Sequence, residues 1–342
     1  MTINTLDGFS GIGGFSLAIQ RAGFEINKHY SSEVDKYAQQ IYRKQFPGSI
    51  QLGDVAGIGN DLGKIDIISG GFPCQAFSIA GKRRGFEDTR GTLFFEIERL
   101  ARFYRPSYMV LENVKGLFSH DGGNTIRVIL DKLRGLDYSV QLLLLNTVDF
   151  GIPQNRERCF FICTATGERK PEISGIRSRK TETPFSSNAI DANYWKGIDN
   201  HGQRTCIQAV CTPDVKVKGQ NGRIIKDPDD PILTLTARDK HGVLISDSGQ
   251  GRKRELRNIT PPLRSHDGCG HDNYTFIDTI IRRLTPVECE RLQDYPDNYT
   301  QYGINESGEQ VEISDTQRYK TLGNSITVKV AEEIFKAIRK VI

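Results

Sequence analysis

Through the first 164 residues, apolar runs short enough for strands alternate with stretches whose apolar positions recur at helical spacing. Ile3 to Asp7 reads as a strand, Phe15 to Arg21 as a helix, Ile26 to Tyr30 as a strand and Asp35 to Phe46 as a helix. Ile65 to Ser69 is a further strand. Helical spacing over Leu93 to Tyr104 precedes a strand at 108–112, and over Thr125 to Leu136 precedes one at Val140 to Asn146, with Phe160 to Thr164 closing the series. Strand and helix in alternation predict an α/β fold, a doubly wound parallel sheet with helices on both faces.

Beyond Ala165 this rhythm stops. Short strand-like pieces such as Ile232 to Thr236 and Gly242 to Ile245 stand among Gly, Pro, Asn and Asp as far as Ile281. Helical patterning returns after Arg282, where Thr285, Pro286 and Glu288 supply an N-cap, a first-turn proline and a capping-box partner. A last helix is expected over Thr327 to Ile342. The chain therefore divides into residues 1–164, a smaller irregular unit at 165–281, and a segment at 282–342 that returns to the first domain.

With 342 residues, 37% hydrophobic and 26% charged, the chain can bury a full core. A net charge of +4, densest at Arg252, Lys253 and Arg254, permits a nucleic-acid partner without requiring one. The seven cysteines include no C-x-x-C pair, which suits a reducing, cytoplasmic setting. His266, Cys269 and His271 match no metal-ligand spacing, so no metal is expected. No feature of the sequence suggests secretion or membrane insertion, and a soluble monomer is expected.

Candidate chemistry lies at the strand ends. The run from Ile65 to Ser69 stops at Gly70-Gly71-Phe72, and Pro73-Cys74-Gln75 follows, a cysteine at a strand's carboxyl end where open α/β sheets bind ligands. Tyr108 to Leu111 likewise delivers Glu112, followed by Asn113 and Val114. After the first strand, Asp7-Gly8-Phe9-Ser10-Gly11-Ile12-Gly13-Gly14 forms a glycine-rich turn into a helix. The turn lacks the G-x-G-x-x-G spacing of dinucleotide sites, and Asp7 disfavours a pyrophosphate. A cationic ligand without phosphate suits it better.

Pro73-Cys74-Gln75, Glu112-Asn113-Val114 and Gln154-Asn155-Arg156-Glu157-Arg158, in this order, resemble the cytosine-C5 DNA methyltransferases. The resemblance covers nearly the whole chain. It implies a Rossmann-like S-adenosylmethionine-dependent methyltransferase sheet with a target-recognition domain at 165–281, acting on double-stranded DNA. Cys74 would be the nucleophile that adds to carbon 6 of a flipped-out cytosine, with Glu112, Arg156 and Arg158 completing the catalytic set. S-adenosylmethionine would be held by Asp7, Phe9, Ser10, Gly11, Gly13 and Gly14, by Glu33 and Val34, by Asp54 and Val55, by Pro73 and Leu93, and by Asn324 and Ser325. DNA contacts would come from Gln75, Ser78, Lys82, Arg83 and Arg84 in a mobile catalytic loop, and from Thr234, Arg238 and Lys240 in the recognition segment. Gly8, Ser10, Ser32 and Thr321 depart from the family's usual residues, outside the proposed catalytic set.

Three other readings share parts of this pattern. A transfer-RNA cytosine methyltransferase would carry a much smaller recognition segment, and a catalytically silent DNA-binding protein would not need the Cys74, Glu112, Arg156 and Arg158 set. A nicotinamide enzyme fails on the glycine spacing. A cognate restriction endonuclease is an expected separate partner, while a phage genome's self-protection or a solitary methylase would demand the same chemistry.

Overall fold

A seven-stranded sheet organises the chain, in the order β3-β2-β1-β4-β5-β8-β6. The computed structural model describes residues 2–73, 93–173, 187–188, 243–246, 279–282 and 284–342. The strands are β1 (Thr2–Gly8), β2 (Glu25–Ser32), β3 (Ile50–Gln51), β4 (Ile67–Gly71), β5 (Tyr108–Val114), β6 (Tyr138–Asn146), the short β7 (Gln154–Asn155) and β8 (Glu157–Ala165). Helices α1 (Gly14–Arg21), α2 (Lys36–Gln45), α3 (Leu93–Tyr104) and α4 (Asn124–Arg134) alternate with them. β1 is an interior strand, parallel to β2 on one side and to β4 on the other. Burial on both faces explains its nearly unbroken buried run, Ile3 to Asp7.

The expected all-parallel sheet is corrected at one strand. β8 lies between β5 and β6 and is antiparallel to both. The connection from β6 to β8, residues 147–156, holds only a short 3-10 turn and β7. A parallel return needs about a dozen residues or more, usually a helix, so the chain turns back on itself.

Alternation along the strands sorts side chains into two cores. Tyr108, Val110, Phe160 and Ile162 face one cluster with α1 and α2 residues, while Met109, Leu111, Cys159, Phe161 and Cys163 face the other with α3 and α4. The first cluster is completed by the carboxyl-terminal segment: α5 (Pro286–Leu292), α6 (Asp315–Asn324) and α7 (Val328–Arg339). Phe335 of α7 meets Phe15 of α1 edge to face at 6.3 Å. Small strand pairs complete the described structure: β9 (Ser187–Asn188) beside β7, β10 (Val243–Ser246) with β11 (Thr279–Arg282), and β12 (Tyr302–Ile304) with β13 (Gln310–Glu312). Among the described residues no helix is long and apolar enough to cross a membrane.

α5 starts with the capping box that its sequence carries: Thr285 Oγ accepts from the Glu288 amide, and the Glu288 carboxylate accepts from the Thr285 amide at 2.7 Å. α6 had no such signal. Its buried face includes Arg318, which pairs at 3.1 Å with Glu290 of α5, a carboxylate that also accepts the amides of Asn298 and Thr300. Glu290 is fully buried. Removing the cation would strand that charge, a loss of about 3–5 kcal/mol. Arg318→Met is therefore expected to lower unfolding free energy by roughly that amount in urea titration, and a loss under about 1 kcal/mol would contradict the assigned role of the pair.

Candidate active site

The strand order reverses between β1 and β4, which opens a crevice at the carboxyl ends of the strands. On the β1 side, the chain passes into α1 through residues 9–13. Phe9 has φ 60, Gly11 φ 54 and Gly13 φ 90. Left-handed backbone is unfavourable for a phenylalanine, and such strain persists where surrounding contacts fix it, commonly at ligand sites. Those contacts come from β2: the Ser10 amide donates to Ser32 O at 2.8 Å, and the Gly11 amide to Glu33 Oε2 at 2.8 Å. The other Glu33 oxygen accepts the amides of Val34 and Asp35. Ser32 Oγ reaches Gly53 O at 2.7 Å, so the ends of β1, β2 and β3 are laced together beside Asp54, which caps the short turn beginning at Val55.

Gly13 requires its lack of a side chain, since a Cβ there would lie 2.2 Å from Phe46 Cε2. Gly11 faces open space. Asp7 lies beneath the loop, 1% exposed, accepting from Ser16 Oγ at 2.8 Å and from Ser69 Oγ at 3.3 Å. Burial pushes its carboxyl up to about 7. Sequence reasoning placed this group against the ligand; the fold instead puts it under the turn, bonded to α1. The stretches 7–14, 31–35 and 53–55 contain no Lys or Arg and carry Asp7, Glu33, Asp35 and Asp54. That donor set fits a cationic nucleoside with ribose hydroxyls and disfavours a phosphate. Val34, 70% exposed, offers apolar surface beside it.

On the other side of the crevice, β4 and β5 run parallel with Gly71 opposite Glu112. A Cβ on Gly71 would sit 3.1 Å from Glu112 Oε2, so glycine leaves the carboxyl its room. Glu112 is buried, and Arg158 of β8 approaches its Oε1 with Nε at 3.1 Å. Burial outweighs Arg158 and Arg156 and holds the Glu112 carboxyl above its usual range. Asn113, buried beside it, donates from Nδ2 to Phe72 O at 2.8 Å, and accepts the Val114 amide on Oδ1. Phe72 immediately precedes exposed Pro73. The amide of Asn113 thereby fixes the backbone that leads into Cys74.

Arg156 has a different environment from Arg158. Its Nη2 donates to Ser325 O at 2.6 Å and to Gly323 O at 3.3 Å, joining the β7–β8 corner to the turn after α6. Next to that turn, a Cβ on Gly14 would lie 2.6 Å from Ile326 Cγ1. Arg156 thus links the Glu112 edge to the start of α1. Gln154, also buried, donates to Leu292 O at 2.6 Å. Asn324 is exposed, Ser325 is buried and Leu93 opens α3 half-buried.

Two clusters of expected site residues are therefore brought to one sheet edge: the 9–13 loop with Glu33 and Asp54, and Pro73 with Glu112 and Arg158. Cys74, Gln75, Ser78, Lys82, Arg83, Arg84, Thr234, Arg238 and Lys240 lie outside the described residues, as does most of 165–281. Asn113, Gly71 and Gln154 were not assigned tasks from sequence. A polar Asn inside a buried strand was the available signal for the first.

The family model for C-5 cytosine-specific DNA methylases matches residues 3–340. The chain is 50% identical over 333 residues to the Type II methyltransferase M.NgoBI of Neisseria gonorrhoeae, spanning 96% of this chain and 90% of that protein. It is 34% identical over 339 residues to the Type II methyltransferase M.HhaI of Haemophilus parahaemolyticus, spanning 96% and 92%. Among solved structures, the S. pombe Dnmt2 methyltransferase superposes with a TM-score of 0.61 at 14% identity, covering 99% of this chain and 98% of that one. The Entamoeba histolytica methyltransferase EhMeth gives 0.60 at 16%, with coverage of 99% and 98%. These two share the fold. From the family match and the curated relatives together, the chain belongs to the C-5 cytosine-specific DNA methylases, enzymes whose methyl donor is S-adenosylmethionine.

Proposed function

We propose that this methyltransferase acts through a covalent bond between Cys74 and carbon 6 of a cytosine extruded from duplex DNA. The observation that carries this reading is the buried Glu112 carboxyl, held 3.1 Å from Arg158 beside the backbone that leads into Cys74. Carbon 5 of cytosine is a poor nucleophile. Addition of a thiolate at carbon 6 makes it enamine-like and builds negative charge toward N3 and O2. Glu112, whose burial favours the protonated form, donates at N3, and the Arg158 guanidinium offsets charge at the same edge. S-adenosylmethionine supplies an electrophilic methyl on sulfur. Once carbon 5 is methylated, water takes the carbon 5 proton, the Cys74 to carbon 6 bond breaks to release the thiolate, and the N3 proton returns to Glu112.

Arg156 is a positioning residue in this scheme, since its guanidinium is engaged by the carbonyls of residues 323 and 325. Phe9, Ser10, Gly11, Gly13 and Gly14, with Glu33, Val34, Asp54, Val55, Pro73, Leu93, Asn324 and Ser325, line the donor pocket, and Asp7 acts on it from below. Extruding the base costs about a few kcal/mol of stacking and pairing, offset by phosphate contacts from Ser78, Lys82, Arg83 and Arg84 while Gln75 flanks the vacated position. Residues 1–164 and 282–342 form the catalytic domain, and 165–281 reads the sequence, with Arg238 a guanine reader and Thr234 and Lys240 beside it. The Type II names of the curated relatives support reading it as the modification enzyme of a restriction-modification pair.

Incubation with methyl-labelled S-adenosylmethionine and unmodified genomic DNA is expected to yield 5-methylcytosine. Cys74→Ser should abolish turnover while donor binding measured by calorimetry is retained; label in 5-methylcytosine from that variant would remove Cys74 as nucleophile. Glu112→Gln is expected to cut kcat by about a hundredfold or more while leaving the fold intact by circular dichroism, and a wild-type rate would remove Glu112 from the chemistry.

A further inference from the structure

Beneath the 9–13 loop lies a buried polar cluster that the transfer chemistry does not use. Asp7 Oδ2 accepts from Ser16 Oγ at 2.8 Å; Ser16 Oγ lies 2.7 Å from the Tyr42 hydroxyl and 2.9 Å from His29 Nε2. Tyr42 and His29 Nε2 are themselves 2.8 Å apart. His29 packs edge-on against Phe46 at 5.3 Å, and Phe46 is the ring that Gly13 rests on. α1 has no side-chain cap at Gly13, whereas Asp7 accepts from the hydroxyl of Ser16 in its first turn.

The donors and acceptors of this cluster have two self-consistent directions. With Asp7 ionised, Ser16 donates to it and accepts in turn from Tyr42 or from His29 Nε2–H. With Asp7 protonated, its O–H donates to Ser16, Ser16 donates onward to His29 Nε2, and the imidazole proton moves to Nδ1. In the first direction a carboxylate offsets the positive end of α1 directly behind the ligand loop. In the second that end faces the crevice uncompensated, which disfavours a cation.

We propose that Asp7, Ser16, His29 and Tyr42 form a proton-linked support for the donor loop, in which the ionised direction alone presents the loop in the form that takes S-adenosylmethionine. This rests on the reading of the 9–13 loop and Glu33 as the donor pocket. Ser16, His29 and Tyr42 are then positioning residues that act through the loop. The groups facing Asp7 are Glu33 and His29 of the β2 segment, Tyr42 of α2, Ser69 of β4, and Tyr295 and Tyr299 after α5. Burial pushes Asp7 up to about 7 and His29 down to about 4, so the imidazole stays neutral while the carboxyl titrates. Stability is a poor readout. The raised Asp7 contributes stability that is lost as pH rises through about 7, while the depressed His29 contributes stability lost as pH falls from 6.5 through about 4.

The test is calorimetric binding of S-adenosylmethionine to the full chain between pH 6 and pH 8.5, for wild type, Asp7→Asn, His29→Phe and Glu33→Ala. At pH 6 only about one molecule in ten carries an ionised Asp7, so wild-type affinity is expected to fall about tenfold from its value at pH 8.5. Asp7→Asn, which donates to Ser16 as the protonated acid would and never reaches the ionised direction, should bind more than about tenfold weaker at pH 8.5, below wild type at pH 6, and lose this pH dependence. Every variant sees the same titration of the ligand itself. His29→Phe removes a donor from the ionised direction, which Tyr42 can replace, and the acceptor that Ser16 uses in the protonated direction, and so should move the midpoint. Parallel profiles for wild type and Asp7→Asn would overturn the proposal, as would an unmoved midpoint in His29→Phe if Asp7→Asn does not fold. Glu33→Ala separates the two levels. Loss of binding at every pH supports the pocket whichever way the proton linkage falls, and unchanged binding would overturn the pocket and the linkage together.

Discussion

Residues 147–156 connect β6 to β8 without a crossover helix, and the shortness of that link governs the active-site edge. Too few residues remain to carry the chain across the sheet, so β8 runs antiparallel between β5 and β6. Its register sets Arg158 opposite Val114 and brings the guanidinium onto Glu112. The same corner aims Arg156 at the turn after α6, which packs against the start of α1. One tight connection therefore couples the carboxyl group, its cation and the donor loop.

Within that frame, burial and charge act on Glu112 in opposite directions. Arg158 and Arg156 favour the ionised carboxyl; removal from water favours the neutral one, and removal from water is the larger effect. A carboxylic acid that can give up a proton beside a cation is suited to neutralising charge at N3 of a cytosine ring. Glu290 shows the contrasting case. It is more deeply buried, but two backbone amides, the Thr300 hydroxyl and Arg318 satisfy its oxygens, and it binds α5 to α6.

Much of this architecture was legible in the chain. Buried parallel strands announce themselves as apolar runs, and the Thr285 to Glu288 box marks a helix start because its groups satisfy each other locally. The carboxyl ends of those runs led directly to Glu112 and the glycine loop. What escaped depended on distant partners. β8 reads as a strand in either direction, because periodicity carries no sign. α6 hides its helix because its buried face includes an arginine paired with Glu290. Arg156 and Arg158, two residues apart, look equivalent in sequence, yet Arg158 meets Glu112 at 3.1 Å, while Arg156 donates to carbonyls near the other end of the chain. Asp7 reads in sequence as a group beside the ligand; in the fold its carboxyl is buried and accepts from Ser16 on the first turn of α1.

We infer that one sheet edge delivers a thiol, an acid and a guanidinium to a single extruded base. This is tested most directly by trapping on 5-fluorocytosine DNA, in which fluorine at carbon 5 blocks the final elimination, with labelled S-adenosylmethionine and peptide mapping of the adduct. The account predicts a denaturation-resistant, labelled protein–DNA adduct at the peptide containing Cys74. An adduct at another cysteine, or methylation with no adduct at all, would contradict it.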